Sequence, residues 1–410
     1  MIFKNARIID PQINLDIFAD LLIQDGIIKK IDKNIDYDGE VYDFSNCVIA
    51  PSFCDTHSHF RDFGESKKET YETGTQVAIH GGYTHICTMA NSNPPIDSLE
   101  MYNEVQEKIK DLPIDIFQSV NMTKKMDGVF LNDFYELKKA GVKCITDDGK
   151  PINSEKIMIE ALKASEKYDM LLSLHEEDPK FIEHAGYDKT APREAEISMI
   201  KRDIELVKKY GGHINIQHLS SKEGVELIRN AKKCGVKLYA EVTPTHLYFT
   251  RDDVVKYGTL LKVNPPVRTN EDRFALIAGL KDGTIDMIAS DHAPHTVEDK
   301  NLGEFKSKSG LISLETAFSS AIMKLYDDKH MSLCEIIQVM SINPRKVLNI
   351  EQKIMVGERA DLVIFNPDEE YVFKKSAGKS SNSPLVGKTL KGKIKMTIKD
   401  GKILYNDKGE

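Results

Sequence analysis

No stretch of this 410-residue chain approaches the roughly 18 consecutive apolar residues of a membrane span. Its start, Met1-Ile2-Phe3-Lys4-Asn5, lacks the apolar region and cleavage site of a secretory signal. Six cysteines, at 47, 54, 87, 144, 234 and 334, include no CxxC pair, and they read as reduced, mostly core thiols of a cytoplasmic protein. Basic and acidic residues are interspersed and sum to a formal charge of −8. With no basic stripe, nucleic acid is excluded as a partner, and with no span, so is the membrane interior. Internal repeats, low-complexity tracts and long linkers are also missing.

What is present is an ordinary apolar content of 40%, enough for a large core. Eight short apolar runs follow one another at 48–54, 84–89, 114–120, 142–145, 170–174, 214–217, 236–242 and 285–290. Between them lie charge-bearing segments with helical periodicity, such as Glu155–Tyr168 and Glu194–Tyr210, broken by Gly81-Gly82, Gly141 and Gly211-Gly212. Strands alternating with helices in this way predict an α/β fold, a (β/α)8 barrel. The two chain ends differ in style. Residues 1–49 and 355–410 alternate strand-like runs with Asp25-Gly26 and Asp400-Gly401 turns. They are expected to join as one small β-sandwich domain beside a barrel spanning 50–354.

In such a barrel, functional groups sit at the carboxyl ends of the strands. His57 and His59 follow the first run, spaced i and i+2 so that an extended chain aims both the same way. Asp147 and Asp148 follow the fourth run, His175 the fifth, His218 the sixth and Asp291 the eighth. Singly, each has a plain reading. A lone histidine closing a strand is often structural, Asp-Asp-Gly is an ordinary turn, and Asp291 could cap a helix. Jointly, imidazoles and carboxylates at one end of one barrel suit zinc or a similar borderline metal, with room for two ions and a bridging carboxylate. His80, His85, His184, His213, His246 and His330 fit that pattern less well and are left structural.

The order of these motifs resembles the amidohydrolase superfamily and, within it, the bacterial dihydroorotases with an Asp-Asp-Gly metal site. The resemblance rests on Asp55-Thr56-His57-Ser58-His59-Phe60-Arg61, Met89-Ala90-Asn91-Ser92-Asn93-Pro94 and Thr146-Asp147-Asp148-Gly149. It continues through His218-Leu219-Ser220, Val263-Asn264-Pro265-Pro266 and Asp291-His292-Ala293-Pro294-His295. It implies Zn2+, two ions per chain: His57, His59 and Asp291 on one, His175 and His218 on the other, Asp148 between them. It implies that Arg61, Asn91 and His295 grip a substrate carboxylate and that Asn264 contacts the ring. An arginine fork is the natural match for a carboxylate, whereas Asn91 and Asn264 also read as loop residues and His295 as a helix cap. The implied reaction is reversible closure of N-carbamoyl-L-aspartate to L-dihydroorotate, a step of pyrimidine synthesis. Asp291 is the catalytic base, taking a proton from water and returning it to the departing nitrogen.

Two features depart from the family pattern. Where relatives carry a bulky apolar residue before a late glycine, this chain has Ser309-Gly310. Lys143 lies in the fourth run, where other amidohydrolases place a carboxylated bridging lysine, and alternation leaves it as a rival to Asp148. A buried or snorkelling lysine is the plainer fate of that residue. The segment 296–308 is a candidate lid or a surface loop. Alternative activities are those of an allantoinase or a hydantoinase-like amidase, or an inactive scaffold for aspartate transcarbamoylase. A homodimer is the expected assembly, with association with aspartate transcarbamoylase left open.

Overall fold

Near the N-terminus, alternating apolar residues build a meander of β1 (Ile2–Asp10), β2 (Leu15–Gln24) and β3 (Ile27–Asp32), followed by β4 (Val41–Asp43) and β5 (Val48–Pro51). In this computed structural model, which describes residues 1–407, β4 and β5 pair parallel to β1. The chain then runs through β6 (Phe53–Ser58), β7 (Tyr83–Thr88), β8 (Asp115–Gln118), β9 (Cys144–Ile145), β10 (Leu171–Leu174), β11 (His213–Ile216), β12 (Leu238–Val242) and β13 (Met287–Ile288). It returns through β14 (Leu362–Val372), β15 (Thr389–Lys399) and β16 (Lys402–Asn406).

The returning strands complete the N-terminal sheet, because β14 pairs antiparallel with β5. The result is one mixed sheet rather than two facing ones, in the order β16-β15-β14-β5-β1-β2-β3 with β4 beside β1. It bends over its own core, where Phe3, Leu21, Ile49, Leu362, Met396 and Ile398 are fully out of water. Its two Asp-Gly turns meet. The Ala360 amide donates to Gly26 O and the Gly401 amide to Ala360 O, both at 2.9 Å.

The eight parallel strands β6 to β13 form two arcs, β6-β7-β8 and β9-β10-β11-β12-β13. Isolated parallel bridges join the arcs on both sides, Val120 to Ile145 and Ser58 to His292. The apolar run 48–54 proves to be two strands. Ser52 divides β5, in the terminal sheet, from β6, in the parallel arc. Gly82 lies at this junction with φ +86, where a Cβ would come within 2.7 Å of Val363, so a side chain there would push the two sheets apart.

Each helix between strands follows from its local sequence. Glu155–Tyr168 starts where the Ser154 hydroxyl accepts from the Ile157 amide and stops at Asp169, which adopts a left-handed φ of 50°. Its buried face is Met158, Ala161, Leu162 and Ser165, the i, i+3, i+4, i+7 stripe of an amphipathic helix. Each of Met158 and Leu162 is worth roughly 1.5–3 kcal/mol by burial. These helices hold the strands so that all the loops carrying candidate ligands emerge at one end. No helix among the described residues is long and apolar enough to cross a membrane.

Candidate metal centre

The six side chains singled out as ligands come from five strand ends, across more than 230 positions of sequence, and converge. His57 Nε2 lies 3.5 Å from both Asp148 Oδ1 and Asp291 Oδ1. His59 Nε2 is 3.2 Å from Asp291 Oδ1 and 3.5 Å from Asp148 Oδ2. On the other side of Asp148, Oδ1 is 3.8 Å from His175 Nδ1 and 3.9 Å from His218 Nε2. Asp148 therefore faces all four imidazoles. Most of these separations are too long for hydrogen bonds. They match instead the edge of a coordination tetrahedron, about 3.3 Å for bonds of about 2.0 Å.

In three of the four histidines the other ring nitrogen is held by a partner that fixes which nitrogen faces inward. His57 Nδ1 donates to Glu241 Oε1 at 2.7 Å, so the Nε2 lone pair points into the centre, where that buried atom has no hydrogen-bond partner. His59 Nδ1 donates to Asn91 Oδ1 at 2.9 Å. His175 Nε2 donates to Glu177 Oε2 at 3.1 Å, which leaves its Nδ1 facing His218 Nε2 at 2.9 Å. Carboxylate–histidine pairs of this kind orient metal ligands and raise their basicity. The orphaned His57 Nε2, the fixed tautomers and the nitrogen–oxygen donor set all fit a divalent cation.

Electrostatics agree. Burial disfavours the ionised form of Asp291, yet His57, His59 and His218 hold its carboxyl down at about 2. Asp148 is likewise held well below the carboxylate range against its burial, chiefly by His57 and His175. Burial pulls His175 down, but Asp148 and Glu177 outweigh it and push the ring up to about 10. The pocket is thus strongly electronegative, a field that a cation neutralises. Three residues here have backbones outside the usual regions for L-residues: Arg61 at φ 56°, His218 at φ 29° and Asp291 at φ 45°. Strain of this kind persists only where the surroundings enforce it.

The residues expected to hold substrate are also near. Arg61 is close enough to Asp291, Asp148 and His59 to alter their charge, and its buried Nε has no acceptor. Asn264 carries an unpartnered buried Oδ1 and lines a 530 Å³ cavity that also touches His175, Glu177 and Gly149. Asn91 is placed differently from the expectation. Besides accepting from His59, its amide donates to Asp148 O at 3.1 Å and Asp148 Oδ2 at 2.9 Å, so its polar atoms are engaged with ligand residues. His295 Nε2 donates to Ser309 O at 2.8 Å, leaving Nδ1 unpartnered. Burial, with Arg61 and Lys68 nearby, presses this ring down to about 2, so it is neutral.

Two open points resolve geometrically. Lys143 is nowhere near Asp148. Its Nζ sits 5.5 Å over the Phe117 ring and it lines a separate cavity with Gly141 and His213, where strands begin. The alternation argument addressed only which side of the strand Lys143 takes and could not say at which end it lies. The segment after Asp291 is pinned: Lys262 Nζ donates to the Glu304 and Phe305 carbonyls and Lys300 Nζ to those of Lys308 and Gly310. Ser309 meets Gly186, and at Gly310, with φ +123, a Cβ would strike Ala293 at 2.6 Å.

Sequence reasoning missed Glu241 and Glu177. Glu241 is fully buried in β12 and takes three donors, from His57, Thr56 and Asn215. Its signal was a lone acid inside the apolar run 236–242, a residue type almost never buried without a partner. Glu177, two residues after His175, gave no signal of its own.

Comparison with known proteins bears on the same geometry. An amidohydrolase family model matches residues 48–404. The dihydroorotase of Clostridium acetobutylicum is 42% identical over the whole of both chains. That of Thermoanaerobacter is 44% identical, with 99% of this chain and 97% of the relative covered, and that of Aquifex aeolicus is 40% identical over 99% of each. Among solved structures, the L-hydantoinase of Arthrobacter aurescens superposes with a TM-score of 0.90 at 25% identity, covering all of this chain and 96% of the other. A D-hydantoinase does so with a TM-score of 0.88 at 22% identity over 99% and 95%, which speaks to the fold alone. These similarities, on a centre built of four histidines and two aspartates, place the chain in the amidohydrolase family and, within it, among the dihydroorotases, which are metal-dependent hydrolases.

Proposed function

We propose that this protein catalyses the reversible cyclisation of N-carbamoyl-L-aspartate to L-dihydroorotate, using two zinc ions. The observation that carries the metal reading is the set of inward-facing nitrogens and carboxylate oxygens around Asp148, with the outer nitrogens of His57, His59 and His175 fixed by hydrogen bonds. His57, His59 and Asp291 would hold one ion and His175 and His218 the other, with Asp148 between them. Such ions supply Lewis acidity and a water that loses its proton near neutral pH.

The chain's own groups do the rest. Asp291, held ionised by its histidine neighbours, accepts the water proton and returns it to the ring nitrogen as the amide C–N bond breaks; ring closure reverses these steps. Arg61, with an unsatisfied N–H, grips the substrate carboxylate, and His295 stands beside it. Asn264 contacts the ring from the cavity wall. Asn91 orients His59 and Asp148, and reaches the carboxylate only from that position. A hydantoin or allantoin substrate is less well supported, because Lys143, the lysine of the fourth run that could have served as the bridge those relatives use, rests over Phe117 at the opposite end, and Asp148 stands among the histidines instead. An inactive scaffold would have no need of a complete ligand set.

The reading extends to architecture and setting. The two arcs act as a closed (β/α)8 barrel over 50–354, and residues 1–49 with 355–410 form the appended β domain. We place the protein in the cytoplasm, in line with six unpaired cysteines. We expect a homodimer, able to associate with aspartate transcarbamoylase. The deciding experiment is elemental analysis of the purified protein alongside assays on dihydroorotate, hydantoin and allantoin. Two zinc equivalents and turnover confined to dihydroorotate support the reading; turnover of hydantoin or allantoin alone rejects it.

A further inference from the structure

Distant in sequence from the strands that bear the candidate ligands, the segment between β14 and β15 packs against the loops that follow β6 and β13. Its anchor is Asn382, buried and with its side chain fully used. Asn382 Oδ1 accepts from the His295 amide at 3.0 Å, while Nδ2 donates to Ala293 O at 3.1 Å and Gly310 O at 3.2 Å. Its own carbonyl accepts from the Ile312 amide at 3.2 Å. One side chain thus fastens the beginning and the end of the loop that follows Asp291.

The same segment holds the loop that carries Arg61. Ser380 Oγ donates to Lys68 O and Lys379 Nζ to Ser66 O, both at 2.8 Å. Both loops would bring groups to the substrate carboxylate, and besides Asn382's segment the Lys68–Asp299 ion pair at 3.5 Å links them. Gly310 shows how tight the arrangement is, since no side chain fits between it and Ala293.

We infer that Asn382 is a positioning residue: it sets the distance between His295 and the Gly310 wall, and so the grip on the substrate carboxylate, without touching substrate. This inference rests on the proposed dihydroorotase chemistry for its kinetic consequence, though not for its structural one. A displacement of about 1 Å at such a site is enough to cost of the order of 100-fold.

The test compares metal-loaded wild type with Asn382→Ala, Asn382→Asp and Ser376→Ala. Asp keeps the acceptor for the His295 amide but turns both donors into repulsion against two carbonyls. Ser376 lies on the same segment, but its hydroxyl bonds to Glu315 and accepts from the Gly378 amide, with no hydrogen bond to the loop after Asp291. We expect KM for dihydroorotate to rise at least tenfold in both Asn382 variants, with kcat within about threefold, unchanged metal content and faster amide exchange confined to residues 291–312. Ser376→Ala should leave KM and exchange in that segment as they are. A wild-type KM and wild-type exchange in either folded Asn382 variant overturns the inference, as does an equal KM rise in Ser376→Ala. If wild type itself fails to turn over dihydroorotate, the proposed function falls, and the exchange measurement alone decides on Asn382.

Discussion

Where β7 and β8 begin, buried charge is largely paired, and in the network around Arg345 only that residue's Nε lacks an acceptor. Arg345 donates to Ser341 O and to the hydroxyls of Ser341 and Ser52, and it stands 3.3 Å from His85. His85 faces Asp115, and Lys399 bridges Asp115 and Asp361. Burial and Arg345 push His85 down to about 4, so the ring stays neutral within its network. At the end of β6 and in the segments that follow β6, β11, β12 and β13, the opposite holds. His57 Nε2, Arg61 Nε, Asn264 Oδ1 and His295 Nδ1 are buried without partners, and Arg61, His218 and Asp291 have left-handed backbones. Native structures leave few such groups unsatisfied, because each costs about 1–3 kcal/mol. The paired end stabilises the barrel; the unpaired end is assembled for groups that arrive from outside.

The largest effect expected from breaking this contrast is at Asp291. Asp291→Asn removes the proton acceptor but keeps the shape, and kcat for dihydroorotate should fall about 1000-fold, or about 4 kcal/mol in the barrier. Because the histidines around Asp291 favour its ionised form, losing the charge should lower the melting temperature only slightly and leave the protein folded. Steady-state kinetics and a thermal melt check both, and activity within tenfold of wild type removes Asp291 from the mechanism.

Arg345→Met should show the reverse pattern. Removing the cation takes a buried donor from Ser341 O and from the hydroxyls of Ser341 and Ser52, and takes a positive charge from the neighbourhood of Asp115 and Asp361, at a cost of about 3 kcal/mol. Urea unfolding should show that loss, while kcat per folded molecule and metal content stay at wild-type values. A variant that kept its stability but lost activity would contradict the division between the two ends.

How much of this was legible beforehand follows from what sequence encodes locally. Period-2 and period-3.6 patterns located β6 to β13 within a few residues, and the helix Glu155–Tyr168 to the residue. Polar residues shortly after apolar runs picked out all six side chains that converge on Asp148 and its histidines. Strand ends were less legible, because β9 and β13 hold only two paired residues each inside longer apolar runs. The partners of the ligands were hidden for a different reason. Glu241 reaches His57 across 184 positions, and Asn382 reaches His295 across 87. No local pattern marks such a pair. The single mixed terminal sheet was hidden too, since β5 joins β1 to β14 only after the chain has closed on itself.

Glu241→Gln sharpens the contrast within the mouth. Glutamine can still accept from His57 Nδ1 through its oxygen, but the charge that makes His57 a stronger donor to metal is gone. Metal affinity should fall 10- to 100-fold, about 1.4–2.7 kcal/mol, measured by competition with a chelator. Excess metal should restore most of the activity. Unchanged affinity would make Glu241 a purely structural acid of β12.

The smallest effect belongs to Lys143. Its ammonium rests over Phe117 at 5.5 Å, a contact worth about 1 kcal/mol or less at a partly exposed site. Lys143→Met keeps the stem against the ring and should change stability by no more than that amount. Metal content and kcat should stay within twofold of wild type, and added bicarbonate should change neither. A bridging lysine would behave in the opposite way, losing metal and activity together, because a carboxylated amine has no substitute in methionine. Loss of metal in this variant would move the bridge from Asp148 to the far end of β9, against every distance around Asp148.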